Sequence, residues 1–279
     1  MRLGRHLSIS GGIDKAVKDT QKINANSLQI FTKSPRSWKQ KIISDSEIES
    51  TKNNITKFDI KGFVVHSSYL VNLATPKIDL YNKSLKELIN DYKQANLLGA
   101  DYYVIHPGNF VSSTKDEGIK RIIKGITNIF KEVKNPRTKL LIENTAGAGT
   151  EIGSKISELA EILNGINNFD HLGVCLDLCH LFAAGYKINS KKGIDDLIEE
   201  VDNKIGLNNL KLIHLNDSKF EINTKKDRHE HIGQGKIGIE NFEYIVNHKK
   251  LANKLFILET PPFDGEDKDI QTILKLKGE

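Results

Sequence analysis

The sequence predicts one closed barrel of eight parallel strands with helices outside, a (β/α)8 or TIM barrel. Three observations carry this. Short β-rich runs recur eight times along the 279 residues, separated by longer stretches with helical spacing. Eight alternations of strand and helix imply a parallel sheet, and eight is the number that closes on itself. Six of the runs carry a histidine or a carboxylate at or near their C-terminal end, and a barrel gathers such ends at one mouth. A doubly wound open sheet, the alternative, collects ligands only at its switch point.

The strands are expected near residues 5–10, 26–32, 61–66, 101–106, 138–143, 171–178, 209–215 and 254–259. Between the third and fourth, Leu80, Leu85, Leu88, Ile89, Tyr92 and Leu97 fall largely on one helical face, and Gly99 reads as the helix stop. Between the fifth and sixth, Ile156, Leu159, Ile162, Leu163 and Ile166 repeat the pattern. Residues 217–236 form a long loop after the seventh strand, a length that suits function or disorder. No linker, repeat or low-complexity tract divides the chain, so residues 1–279 read as a single domain.

Composition sets outer limits. The formal charge of +5 permits a polyanionic partner without requiring one. Two cysteines, Cys175 and Cys179, make no disulfide framework and suit a reducing compartment. The first residues lack the apolar stretch of a secretory signal, and no run approaches the roughly 18 apolar residues of a spanning helix. A cytoplasmic, monomeric protein without membrane attachment is expected.

The strand ends carry the chemistry. GFVVH ends at His66, YYVIH at His106, KLLIE at Glu143 and LFILE at Glu259. KLIHL carries His214, and GVCLDLCH carries Asp177 and His180. In the long loop, Asp227 and His229 are two apart and project alike from an extended segment. Alone, His66 or His106 is more often a hydrogen-bonded core residue and DRH an ordinary charged loop, but a carboxylate ending KLLIE at a buried mouth must be paired or bound to a cation. Nine imidazoles and carboxylates aimed at one mouth are the ligand set of zinc and its neighbours. They exceed the four ligands of one zinc and suit two or three ions sharing bridging carboxylates. His171 lies at the wrong strand end, His248 in a helix, and His231 is left outside the set. His6 is placed to support a ligand. Cys175 shares the inward parity of Asp177 but lies deeper, so a buried apolar role is expected.

The motifs VHSSYLVNLA, YVIHPG, LLIENTAGAG, GVCLDLCHLFAAGY, LIHLNDSK, DRHEHIGQG and ILETP resemble those of the endonuclease IV family. These are zinc-dependent apurinic/apyrimidinic endonucleases on a xylose isomerase-like TIM barrel. The resemblance runs from HLSISGG to ETP, and all nine ligand positions are filled. Ser67 and Ala148 depart from residues common in relatives without touching a ligand.

The resemblance implies three Zn2+ ions per chain, with Mn2+ an option at one site. His66, His106 and Glu143 would hold the first. Glu143 would bridge to a second, held also by Asp177, His214 and Glu259. His180, Asp227 and His229 would hold the third. The implied reaction is DNA repair: hydrolysis of the phosphodiester 5′ to an abasic site in duplex DNA, with Glu143 catalytic and a further 3′-end-cleaning activity. Arg36 in FTKSPRSW would contact DNA, with Lys33 and Trp38 beside it, and Tyr69 and Leu70 would wedge into the base stack. A metal-dependent sugar isomerase or epimerase of the related barrels is the competing expectation.

Overall fold

The computed structural model describes every residue except 40, 167–168, 264–265 and 279. Eight parallel strands close into a barrel: β1 (Arg2–His6), β2 (Ser27–Phe31), β3 (Gly62–His66), β4 (Tyr102–Ile105), β5 (Lys139–Glu143), β6 (Leu172–Asp177), β7 (Leu210–His214) and β10 (Leu255–Leu258). They pair in chain order, and β10 closes the ring against β1 through Arg2–Leu255 to Arg5–Leu258. Helices α1 (Ile13–Lys22), α2 (Asp45–Lys57), α3 (Ile78–Leu98), α4 (Lys115–Glu132) and α5 (Ile156–Asn164) follow the first five strands. Helices α6 (Leu178–Ala184) and α7 (Lys191–Lys204) lie between β6 and β7. The long loop after β7 contains a small antiparallel pair, β8 (Asp217–Ser218) and β9 (His229–Glu230), before α8 (Ile239–Asn247); α9 (Lys268–Lys277) follows β10.

Burial separates two apolar layers. A small cluster fills the barrel: Val64, Val104, Leu141, Cys175, Leu212, Leu255 and Ile257. A larger one lies between strands and helices, where all five apolar residues expected on the α5 segment are buried. Gly99 caps α3 with φ 78°, a left-handed conformation that favours glycine. On α3 the buried stripe runs through Leu88, Tyr92, Ala95 and Leu98, while Leu97 is exposed. Leu97 lies one position out of phase with the 3.6-residue stripe.

The first strand is displaced from its expected place. It is Arg2–His6, with residues 7–10 leaving the sheet, because pairing with β10 and β2 selects the segment that buries Leu3. Arg5 is buried in hydrogen bonds to Thr260 and Pro261 and an ion pair with Asp267, so its charge is not exposed. Among the described residues no helix is long and apolar enough to cross a membrane.

Candidate metal centre at the barrel mouth

The interior layer places the site. Side chains two residues apart on a strand share a face. Adding two to Val64, Val104, Leu141, Cys175, Leu212 and Ile257 gives His66, His106, Glu143, Asp177, His214 and Glu259. Six side chains therefore crown the buried interior as its next layer. His180 joins from the first turn of α6, whose N-cap is Asp177; the Asp177 carboxylate accepts from His180 N–H at 2.8 Å. Asp227 and His229 reach the mouth from the β8–β9 hairpin.

All nine expected residues meet there, and among the described residues they make up three of the five groups able to hold a metal ion; the other two set Cys175 beside Glu143 and His214, and Cys179 beside Asp177 and His229. His66, His106 and Glu143 form one; Glu143, Asp177, His214 and Glu259 the second; His180, Asp227 and His229 the third. Within each group, one potential ligand atom per residue lies within 4.8 Å of the others. Glu143 is the hub. Its Oε2 faces His66 Nε2 at 3.0 Å and His106 Nε2 at 3.1 Å, and its Oε1 faces His214 Nδ1 at 3.0 Å. Asp227 links the third group, at 3.3 Å from His180 Nε2 and 3.2 Å from His229 Nε2.

Four of the five imidazoles are held in one tautomeric role by an oxygen acceptor. His66 Nδ1 donates to Ser67 O at 2.8 Å, His180 Nδ1 to Asn144 O at 2.9 Å, and His229 Nδ1 to Glu259 O at 3.1 Å. His214 Nε2 donates to Gln29 Oε1 at 2.9 Å. In each ring the remaining nitrogen faces the carboxylates. Ligating histidines are ordinarily oriented this way. Among the described residues His229 Nε2, buried between Asp177 and Asp227, finds no hydrogen-bond partner. The donor set thus fits divalent cations.

The electrostatics follow from crowding. Burial opposes ionisation of Glu143, yet His214 and His106 hold its carboxyl well below the usual range. Burial likewise opposes Glu259, which His214 and His6 hold low. Burial would lower the imidazoles, but Asp177, Asp227 and Glu143 raise His180 well above the ordinary value. His229 is raised to about 9 against the same burial, mainly by Asp177 and Asp227. Such a cluster balances its charge through protons on the rings or through cations among them.

Three amides missed by sequence reasoning frame this set. Gln29 on β2 accepts from His214 and donates to Glu259 Oε1 at 2.5 Å. Asn216 donates to Asp177 Oδ2 at 2.5 Å and accepts from Glu259 N–H at 2.7 Å. Asn144 accepts from Asp177 N–H at 2.6 Å. Asn144 and Asn216 sit inside the motifs IEN and HLND, and that adjacency to ligands was the available signal. His6 stands where a supporting group was expected, with Nδ1 at 3.0 Å from Gln29 Nε2. His231 instead pairs with Asp269 Oδ2 at 2.9 Å, away from the cluster. His248 caps a turn just after α8 rather than lying inside it. Cys175 is a buried interior residue, its thiol pushed up to about 12 by burial.

The rim holds Arg36, Tyr69 and Leu70. Arg36 is exposed on the loop after β2, Tyr69 is exposed, and Leu70 is half-buried. Lys33 is not a rim cation: it is buried and ion-paired with Glu87 of α3. Trp38 packs against the core with Lys83 Nζ 4.4 Å from its ring centroid, so that face is already covered. Ser67 supports His66 through its backbone carbonyl, which no side-chain change removes. Ala148 is exposed, and its N–H donates to Glu151 Oε2 at 2.9 Å.

Similar proteins match the chain over nearly its whole length. A family model described as xylose isomerase-like TIM barrel matches residues 17–276. A protein of Halothermothrix orenii named "Probable endonuclease 4" is 50% identical over 277 residues, covering 99% of each chain. One of the same name from Petrotoga mobilis is 40% identical over 279 residues, covering 99% of this chain and 97% of that one. The crystal structure of endonuclease IV from Thermus thermophilus is 33% identical with a TM-score of 0.87, covering 100% of this chain and 98% of that chain. With full-length identity at this level and a barrel of the same form, the chain belongs to the endonuclease IV family of xylose isomerase-like TIM barrels.

Proposed function

We propose that this protein is a DNA-repair hydrolase that cuts the phosphodiester 5′ to an abasic site in duplex DNA. The products are a 3′-hydroxyl and a 5′-deoxyribose phosphate, and the same site trims blocked 3′ ends. The observation that carries this reading is the gathering of nine imidazole and carboxylate side chains into three groups at one barrel mouth. The endonuclease names and full-length identity of the relatives support it.

Three zinc ions fit the three groups: one with His66, His106 and Glu143, one with Glu143, Asp177, His214 and Glu259, and one with His180, Asp227 and His229; manganese is an option at one. Bound there, such ions lower the pKa of water to roughly 7 and neutralise phosphoryl charge. The chain's own residues do the rest. Glu143 holds a negative charge at the centre of the cluster and fixes three imidazoles around it. Gln29 and Asn216 orient His214, Asp177 and Glu259. Arg36 binds the DNA backbone or fills the gap of the missing base. Tyr69 and Leu70 enter the stack, where a lost base lowers the cost of extruding the nucleotide. One chain supplies all nine ligands, so a cytoplasmic monomer suffices.

The test is a duplex carrying one abasic site, incubated with zinc-loaded and chelator-stripped protein, with analysis of the new ends. Cleavage 5′ to the lesion, lost with chelator and restored by zinc, is expected. Intact abasic DNA in the loaded reaction, with turnover of a ketose instead, would establish the sugar-epimerase alternative. The third group, supplied in part by a hairpin outside the barrel, favours the nuclease.

A further inference from the structure

Arg36 and the Tyr69–Leu70 pair come from different loops, but one hydroxyl joins them. Ser68 is buried, two residues past His66. Its Oγ donates to Pro35 O at 2.8 Å and accepts from Leu70 N–H at 3.2 Å. Pro35 immediately precedes Arg36. The base of the Arg36 loop is separately fixed on α3: Lys33 pairs with Glu87, and Thr32 Oγ1 donates to Asp91 at 3.3 Å. Tyr69 leans edge-on against Phe31, the last residue of β2, with centroids 5.3 Å apart. The tips of the two loops are thus connected through Ser68, which must donate and accept at once. Alanine does neither, and cysteine is a weak donor.

We propose that Ser68 is a positioning residue that locks Arg36 and Tyr69–Leu70 into one rigid reader of damaged DNA. This rests on the reading of those three residues as DNA contacts. A preformed reader avoids ordering two loops on binding, and that ordering would weaken the damaged complex most.

The test is a double-mutant cycle on the zinc-loaded protein with Ser68→Ala, Arg36→Ala and both. The readouts are affinity for a duplex with one tetrahydrofuran abasic analogue against its intact counterpart, kcat and KM on an abasic duplex, and zinc content. Ser68→Ala is expected to cut the selectivity ratio about tenfold, the size of a lost preorganised contact. It should raise KM more than it lowers kcat, with zinc unchanged. In the Arg36→Ala background the same change should cost less than in wild type, the remainder being the lost anchor of Leu70 N–H. Ser68→Cys should behave as alanine and Ser68→Thr as wild type, which keeps the question open to measurement if Ser68→Ala folds poorly. Selectivity retained by Ser68→Ala and Ser68→Cys while Arg36→Ala loses it, or full additivity of the two changes, overturns the coupling alone. Wild-type selectivity in Arg36→Ala and in Tyr69→Ala overturns the DNA-contact reading and the coupling with it.

Discussion

Asp217 and Gly235 fit against each other: Asp217 Oδ2 accepts from Gly235 N–H at 3.1 Å, and a Cβ on Gly235 would collide with Asp217 Oδ1. The same buried carboxylate accepts from Ser218, Gly233 and Ile237 N–H at 2.8, 3.0 and 3.0 Å. The loop bearing Asp227 and His229 is therefore wound around one acid. Asp217→Ala leaves the buried Ser218 and Ile237 N–H groups without an acceptor, while those of Gly233 and Gly235 turn to water, and is expected to cost about 2–4 kcal/mol. Gly235→Ala should loosen the loop through crowding. Urea denaturation and limited proteolysis check both, with new cleavage expected between residues 219 and 232. Wild-type stability in Asp217→Ala would show that the loop is held elsewhere.

Glu143→Gln removes one negative charge from the hub while keeping the side chain's shape. Cleavage of an abasic duplex should fall by about 10³-fold, as when a central electrostatic group is lost. Circular dichroism should be unchanged. Activity within tenfold of wild type would remove Glu143 from the centre of the mechanism.

Tyr69→Ala with Leu70→Ala should slow cleavage of an intact-backbone abasic duplex more than of one nicked or frayed at the lesion, because less stacking remains to be broken in the second. Bound metal, measured by atomic emission, should not change. Equal losses on both substrates would assign the pair a packing role instead.

Asp91 offers a pH signature away from the barrel mouth. Burial pushes its carboxyl from 3.8 up to about 6, against the pull of Lys33 and Thr32. The unfolded chain releases this proton near pH 4, while the folded protein keeps it until about pH 6. Stability from this group is greatest below both values and declines as pH rises between them, by up to about 3 kcal/mol. Asp91→Asn should flatten that part of the pH–stability curve. A curve unchanged by the substitution would place the titration elsewhere.

Both thiols should be inert in the folded protein. Burial raises Cys175 to about 12 and Cys179 further, and Cys179 Sγ donates to Arg228 O at 3.5 Å. A thiol reagent at pH 8 should label neither until denaturant is added; rapid labelling of native protein would contradict their enclosure.

The barrel was legible because its inner strands announce themselves twice, once as apolar runs and once as the ligands that end them. Val64 and His66 obey one rule of alternation, and so do Leu141 and Glu143. Arg2–His6 lacked the apolar run, since its partners rather than its own composition make it a strand. Lys33 read as a surface cation because Glu87, which buries it, is distant in sequence. Gln29 was silent for the same reason: an amide has no metal-like signature until His214 and Glu259 are brought against it. The pattern of DRH placed Asp227 and His229, but nothing local revealed that Asp217 and Asp269 would hold that loop.

The ring closes where β10 meets β1, and Glu259 follows β10 directly. During synthesis the ribosome delivers this strand after every other wall of the mouth has been made. Until it docks, β1 and β7 each keep an unpaired edge, and one carboxylate of the cluster is missing. A nascent or C-terminally clipped chain therefore lacks both a finished sheet and a finished ligand set. Exposed strand edges of that kind invite aggregation. The order of the strands thus ties completion of the cutting site to completion of the fold, and fragments of the protein should be sticky rather than active.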